Sequence, residues 1–166
     1  NDTLKFGRAA EAAPRRERFA LRPLVEDVGE GLGLPHGATI GWAVEMPLDL
    51  EVDADRDHLY RVLGNLVRNS AQAIASQSVA AALIKISARR SGSKVIIDVA
   101  DNGPGVPEFA RAHMFEAFQG STRKGGTGLG LAIAHELIVA HGGDLYLVDT
   151  SKGATFRIAI PDRPAT

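Results

Sequence analysis

The chain has 166 residues, 45% hydrophobic and 23% charged, which suits one globular domain with a core of its own. With 19 basic and 20 acidic side chains it carries a net charge of −1, without the basic excess of a protein that grips nucleic acid through its phosphates. Cysteine is absent, excluding disulfides, Cys zinc sites and thiol nucleophiles; aromatics at 5% argue against a base-stacking surface, and no apolar run spans a bilayer.

The chain opens without Met, as a piece of a longer protein would, and no signal peptide is visible. Residues 1–20 are polar and broken, with Pro14 followed by Arg15, Arg16, Glu17 and Arg18. They read as a lead-in segment outside the core, with the domain over 21–162 and a short tail at 163–166. Pro23 suits the first turn of a helix, and Leu24, Val25 and Val28 give it an apolar stripe that ends in the glycines of 29–37. Two strands are expected over Ala38–Met46 and Leu50–Val52, then a long helix over Asp53–Gln77. A hairpin follows, Ala82–Arg89 and Lys94–Ala100 around Ser91-Gly92. A loop-rich stretch runs from Asp101 to about Gly126. A helix from Gly128 to Ala140 stops at His141-Gly142-Gly143. Two strands close the chain, Asp144–Val148 and Ala154–Ile160. Helices mixed with antiparallel hairpins predict a two-layer α/β sandwich: one mixed sheet with helices on one face.

Three segments carry chemistry. On the long helix, Leu59, Val62, Leu63, Leu66, Val67, Ala73 and Ile74 make an apolar face. Asn65, Asn69 and Gln72 share the adjoining polar face at i, i+4, i+7. Asn is a poor helix-interior residue, and its neutral oxygen suits Mg²⁺, although an ordinary solvated face has the same pattern. Next, a strand delivers Asp101 to its end, where Asn102-Gly103-Pro104-Gly105 turns at once. An Asp there can accept from the amino group of a heterocycle, although Asn-Gly and Pro-Gly also make plain turns. Finally, Gly125-Gly126-Thr127-Gly128-Leu129-Gly130-Leu131 runs into a helix. Free N–H groups at such a start suit phosphate oxygens, and Arg123 and Lys124 stand just before it; a flexible surface loop is the plain alternative. Neither the P-loop spacing nor the dinucleotide fingerprint is present.

In this order and spacing the segments resemble the N, G1, F and G2 boxes of the ATP-binding catalytic domain of sensor histidine kinases. That is a branch of the superfamily that includes gyrase B, Hsp90 and MutL. The N box matches at Asn65-Leu66-Val67-Arg68-Asn69, and G1 at Asp101-Asn102-Gly103-Pro104-Gly105. The F box matches at Met114-Phe115-Glu116-Ala117-Phe118, and G2 at Gly126-Thr127-Gly128-Leu129-Gly130-Leu131. Gly153-Ala154-Thr155-Phe156 resembles the family's last strand. Arg68 to Ile74 looks most like the nitrogen-regulation type. The resemblance implies the Bergerat-type fold and ATP with Mg²⁺ as cofactors. Asn69 would hold the metal, helped by Asn65, with Gln72 beside them. Asp101 would bind the adenine amino group, with Thr155 nearby through a water, and Gly103 and Gly105 would border the base. Gly126 to Leu131 would wrap the phosphates with Arg123 and Lys124. Residues 119–125 would form a lid anchored by Phe115 and Phe118, which are equally readable as core.

The hydrolysing branches of that superfamily place a Glu four residues before the metal-binding Asn, where this chain has Asn65. An amide is no general base, which favours transfer over hydrolysis. The implied acceptor is a His on a separate dimerisation domain before residue 1; Leu4-Lys5-Phe6-Gly7-Arg8 resembles the segment that follows such a domain. The implied partners are that domain, a response regulator and a second copy of the parent, with this domain in the cytoplasm and the parent either soluble or anchored in the inner membrane. The alternatives are an ATPase, a protein-serine kinase such as an anti-sigma factor, and a docking module that has lost its nucleotide. His135-Glu136-Leu137 resembles a phosphorylation motif only superficially, because it lies inside a helix. His141 is expected to interact with a helix C-terminus. His113 is a candidate nucleotide neighbour, and His36 and His58 read as surface. Position 139 is Val, so no zinc pair forms. Asp53, Asp55 and Asp57 fail the calcium-loop pattern and are expected to favour the start of the long helix, with Asp55 as its N-cap.

Overall fold

A computed structural model describes residues 13–34, 39–76, 79–111, 114–116, 129–148, 150 and 152–164. In chain order the elements are β1 (Glu17–Ala20), α1 (Leu21–Gly31), β2 (Gly41–Glu45), β3 (Glu51–Ala54) and α2 (Arg56–Ala75). Then come β4 (Leu83–Ser91), β5 (Lys94–Asp101), the single turn α3 (Glu108–Arg111), α4 (Leu129–Ala140), β6 (Asp144–Val148) and β7 (Ala154–Pro161). Five strands form a mixed sheet in the order β2-β4-β5-β7-β6. Only the β2–β4 pair is parallel among them, and β3 and α2 supply the crossover that such a pair needs. The expected α/β sandwich is the observed one.

The sheet face toward the helices follows from strand alternation. Val95, Ile97 and Val99 lie across from Ile160, Ile158 and Phe156, and all six are buried in one core with Ile84 and Ile86. Leu59, Val62, Leu63, Leu66 and Val67 of α2 close that core, with Ala134, Leu137 and Ile138 of α4. The opposite face carries the cross-strand pair Asp98–Arg157, with Arg157 Nε 2.8 Å from Asp98 Oδ1. This bidentate carboxylate contact raises the Arg157 guanidinium above its ordinary value. The β4–β5 turn falls on Gly92 and Ser93, one residue later than expected.

Two expectations need correction. The lead-in segment does not stay outside the core to residue 20. Glu17–Ala20 pairs antiparallel with Glu51–Ala54, and Phe19 is buried with the ring carrying Arg56 on its face, 4.3 Å from the centroid. Four residues among charges are too short a run to show alternation. The long helix also starts later than Asp53. Residues 53 and 54 complete β3, and Asp55 caps the helix by accepting the N–H of His58 at 3.1 Å.

Behind that cap lies a buried polar cluster. Asp53 is 2% exposed and accepts from the backbone and side chain of Arg163, while Arg16 Nη2 lies 3.8 Å from its carboxylate. Burial alone would push this carboxyl up; the Arg163 donors and the Arg16 charge outweigh it and hold the group below the ordinary carboxylate range. Asp53 therefore serves Arg16 and Arg163 rather than the helix. Arg16 also donates to the carbonyls of Asp53, His141 and Pro161. His141 is buried at the end of α4, where Gly142, at φ +74, turns the chain as only glycine does easily. Its Nε2 accepts the N–H of Asp55 at 3.0 Å, so the proton sits on Nδ1 and meets the Leu137 carbonyl at 2.8 Å. The expected contact with the helix end is present, made by a neutral ring. His58 is not a surface residue: its Nδ1 is buried, and its ring meets His141 edge-on with centroids 5.8 Å apart.

Candidate functional site

Helix α2 runs from the buried cluster to the candidate site. Asp55 sits at its start, Asn65 and Asn69 lie one turn apart at mid-length, and Ile74 is in the last turn. Asn65 and Asn69 are half-buried and Gln72 is exposed. Asn65 Nδ2 donates to the Gly130 carbonyl at 3.0 Å, and its Oδ1 accepts from Arg68 at 3.3 Å.

Asp101 closes the central strand β5 and is 8% exposed. Its Oδ1 accepts the N–H of Gly103 at 2.9 Å, which fixes the carboxylate inside its own turn. A Cβ on Gly103 would lie 3.0 Å from that oxygen and 3.3 Å from Ile74, so the turn is packed directly on the end of α2. Asn102 ties the turn to β4: its Oδ1 accepts from Leu83 N at 2.8 Å and its Nδ2 donates to the Ala81 carbonyl at 2.9 Å. From the other side Gly153, at φ +69, lies so close to the Asp101 carbonyl that a Cβ there would overlap it. Asn102 and the close approach of Gly153 are features that sequence reasoning missed. The turn residues were visible, but not the neighbours that hold them.

The structure does not bring Thr155 to Asp101. In the β5–β7 register Ala154 pairs with Asp101 and Thr155 pairs with Ala100. Side chains alternate along β7, with Ala154 buried and Thr155 half-buried, so Thr155 belongs to the opposite sheet face. A one-residue offset in reading the strand start is enough for that error.

Gly130 and Leu131 lie in the first turn of α4, with Leu131 buried; Leu129 opens that helix. Arg123, Lys124, Gly126, Thr127 and Gly128, the lid 119–125, Phe118, His113 and His36 lie outside the described residues. Phe115 stacks on His135 with centroids 5.0 Å apart and meets Phe156 edge-on at 6.3 Å. It therefore binds the F-box segment to α4 and β7, and His135 is a packing partner. Met114 beside it is buried.

No group of three or more His, Asp or Glu among the described residues is arranged to hold a metal. The Asn65 amide is engaged with Gly130 and Arg68.

Residues 54–164 match the family described as histidine kinase-, DNA gyrase B- and HSP90-like ATPase. The chain belongs to this family. It is 38% identical over 126 residues to the sensor protein VanS of Enterococcus faecium, covering 73% of this chain and 32% of VanS. The catalytic domain of histidine kinase ThkA, in a nucleotide-free form, superposes with a TM-score of 0.77 at 31% identity, covering 90% of this chain and 99% of that one. Full-length ShkA in complex with AMPPNP gives 0.78 at 30% identity, covering 99% of this chain and 35% of ShkA. The chain thus spans about a third of the length of VanS, and nearly all of the ThkA catalytic domain. Among the described residues no helix is long and apolar enough to cross a membrane.

Proposed function

We propose that the chain binds Mg-ATP and presents the γ-phosphate to a histidine outside this chain, as the catalytic part of a sensor histidine kinase. Asp101 receives the adenine amino group, and Gly103 and Gly105 border the base. Asn69 holds magnesium, which when bound offsets the charge of the phosphate oxygens. Arg123, Lys124 and residues 126–131 surround the phosphates. The acceptor histidine belongs to a dimerisation domain preceding residue 1, the parent acts as a cytoplasmic-facing dimer, and the phosphoryl group passes on to a response regulator.

The observation that carries this reading is Asp101: a buried carboxylate at the end of the central strand, pinned by the N–H of Gly103 and walled by two glycine-bearing turns. Gly103 places no side chain beside the carboxylate, so a flat base can approach a fixed acceptor. Asn65 stands against hydrolysis, because an amide cannot take a proton from water near neutral pH. The test is calorimetric titration with ATP, with and without Mg²⁺. The chain should bind, and Asp101→Asn should weaken binding by about a hundredfold, as expected for loss of a charged acceptor. A chain that is folded yet does not bind would leave the docking-module reading. Incubated alone with γ-labelled ATP, the chain should retain no stable label, because it holds no acceptor.

A further inference from the structure

Helices α2 and α4 are joined by hydrogen bonds at two places. One is the bond from Asp55 N to His141 at the end of α4. The other is the bond from Asn65 Nδ2 to the carbonyl of Gly130, the second residue of α4. The amide orientation is chemically fixed: the flipped form would set two oxygens against each other at Gly130 and turn an NH₂ toward the Arg68 guanidinium. Both ends of the Asn65 side chain are thereby used within the protein. The contact made at Gly130 is to its backbone. A Cβ there would lie 3.8 Å from Asn65 Cγ, an ordinary contact, so what Asn65 needs from this position is the carbonyl.

We propose that Asn65 is a positioning residue that pins the first turn of α4 to α2, and that it is not a magnesium ligand. The segment leading into α4 carries the glycines assigned to the phosphates, and Asn69 lies one turn along α2 from Asn65. The pin therefore fixes Gly130, at the helix end of the phosphate segment, relative to Asn69. The geometry stands on its own; the consequence for ATP rests on the proposed function.

The test uses the 166-residue chain and its Asn65→Ala and Asn65→Asp variants. Asp matches Asn in shape but has no N–H to donate. It is the second variant should Asn65→Ala fail to fold. Amide hydrogen exchange is read first, without nucleotide. In an α-helix the N–H groups of Ile133 and Ala134 bond to the carbonyls of residues 129 and 130. Both variants should speed exchange there by about fivefold to tenfold, the ratio matching loss of one hydrogen bond, with β5 unchanged. ATP is then titrated with and without Mg²⁺. Asn65→Ala should weaken both titrations by the same factor, and Asn65→Asp should not strengthen the Mg²⁺ dependence. Unchanged exchange at Ile133 and Ala134 would overturn the proposal. So would a loss confined to the Mg²⁺ titration, or a gain in Mg²⁺ dependence with Asp, which is what a metal ligand predicts. If the unmodified chain binds no ATP, the proposed function fails, and exchange still decides whether the pin exists.

Discussion

The two ends of helix α2 are built in opposite ways. At its start Asp53, Asp55, His141, Arg16 and Arg163 satisfy one another, and a buried carboxylate is gripped by charged donors. At its other end Asp101 is held by one backbone N–H and surrounded by glycines. The first arrangement spends its polar groups on the chain itself. The second keeps a carboxylate fixed but lightly bonded, which is what a ligand acceptor requires. Energetically the first end resists change through paired charge, and the second through close backbone packing.

Substitutions can break this contrast, and the largest effect is expected at the glycine end. Gly153→Val adds a side chain where a Cβ already overlaps the Asp101 carbonyl, at a backbone angle that β-branched residues avoid. A loss of about 4 kcal/mol or more is expected in denaturant unfolding, together with ATP binding. Asp53→Ala comes next. It leaves Arg16 without its buried partner, and about 3 kcal/mol should be lost while ATP affinity in the folded fraction is kept. Equal loss of affinity would show that the two ends are coupled.

His141 sharpens the contrast through pH. Burial holds its imidazole below the ordinary value, and Arg16 and His58 act in the same direction; the Leu137 carbonyl and Asp55 pull the other way without reversing it. The unfolded chain therefore takes up a proton near pH 6.5 that the folded chain refuses. Stability is full above that value and falls as pH drops below it toward the folded value. In His141→Gln that slope should disappear from thermal melts, leaving the steeper acid loss below about pH 4 that belongs to groups such as Asp53. The smallest effect is expected at Thr155→Ala, which should change ATP affinity by less than about twofold, as the opposite sheet face requires.

Much of the site end was legible because it is local. Asp101, Gly103 and Gly105 sit within five residues, and the spacing of Asn65, Asn69 and Ile74 is readable from helical period alone. The β4–β5 hairpin and the Asp55 cap were legible for the same reason. The polar cluster was not. Arg163 meets Asp53 across 110 residues and Arg16 meets the His141 carbonyl across 125, and no periodicity reports such pairs. Thr155 shows a different limit: its strand was found, but a face assignment fails if the register slips by one.

Arg16 has a further consequence, for the order in which the chain folds. Its guanidinium ties the carbonyl of Asp53 to that of Pro161, 145 residues beyond Arg16, and so closes the widest loop bridged by a side-chain hydrogen bond among the described residues. Such closures cost the most chain entropy and are made after local helices and hairpins have formed. The seam between the first and last described segments is thus a late event. Weakening it should leave the refolding rate nearly unchanged and make the protein come apart faster, so Arg16 sets how long the folded state lasts more than how quickly it is reached.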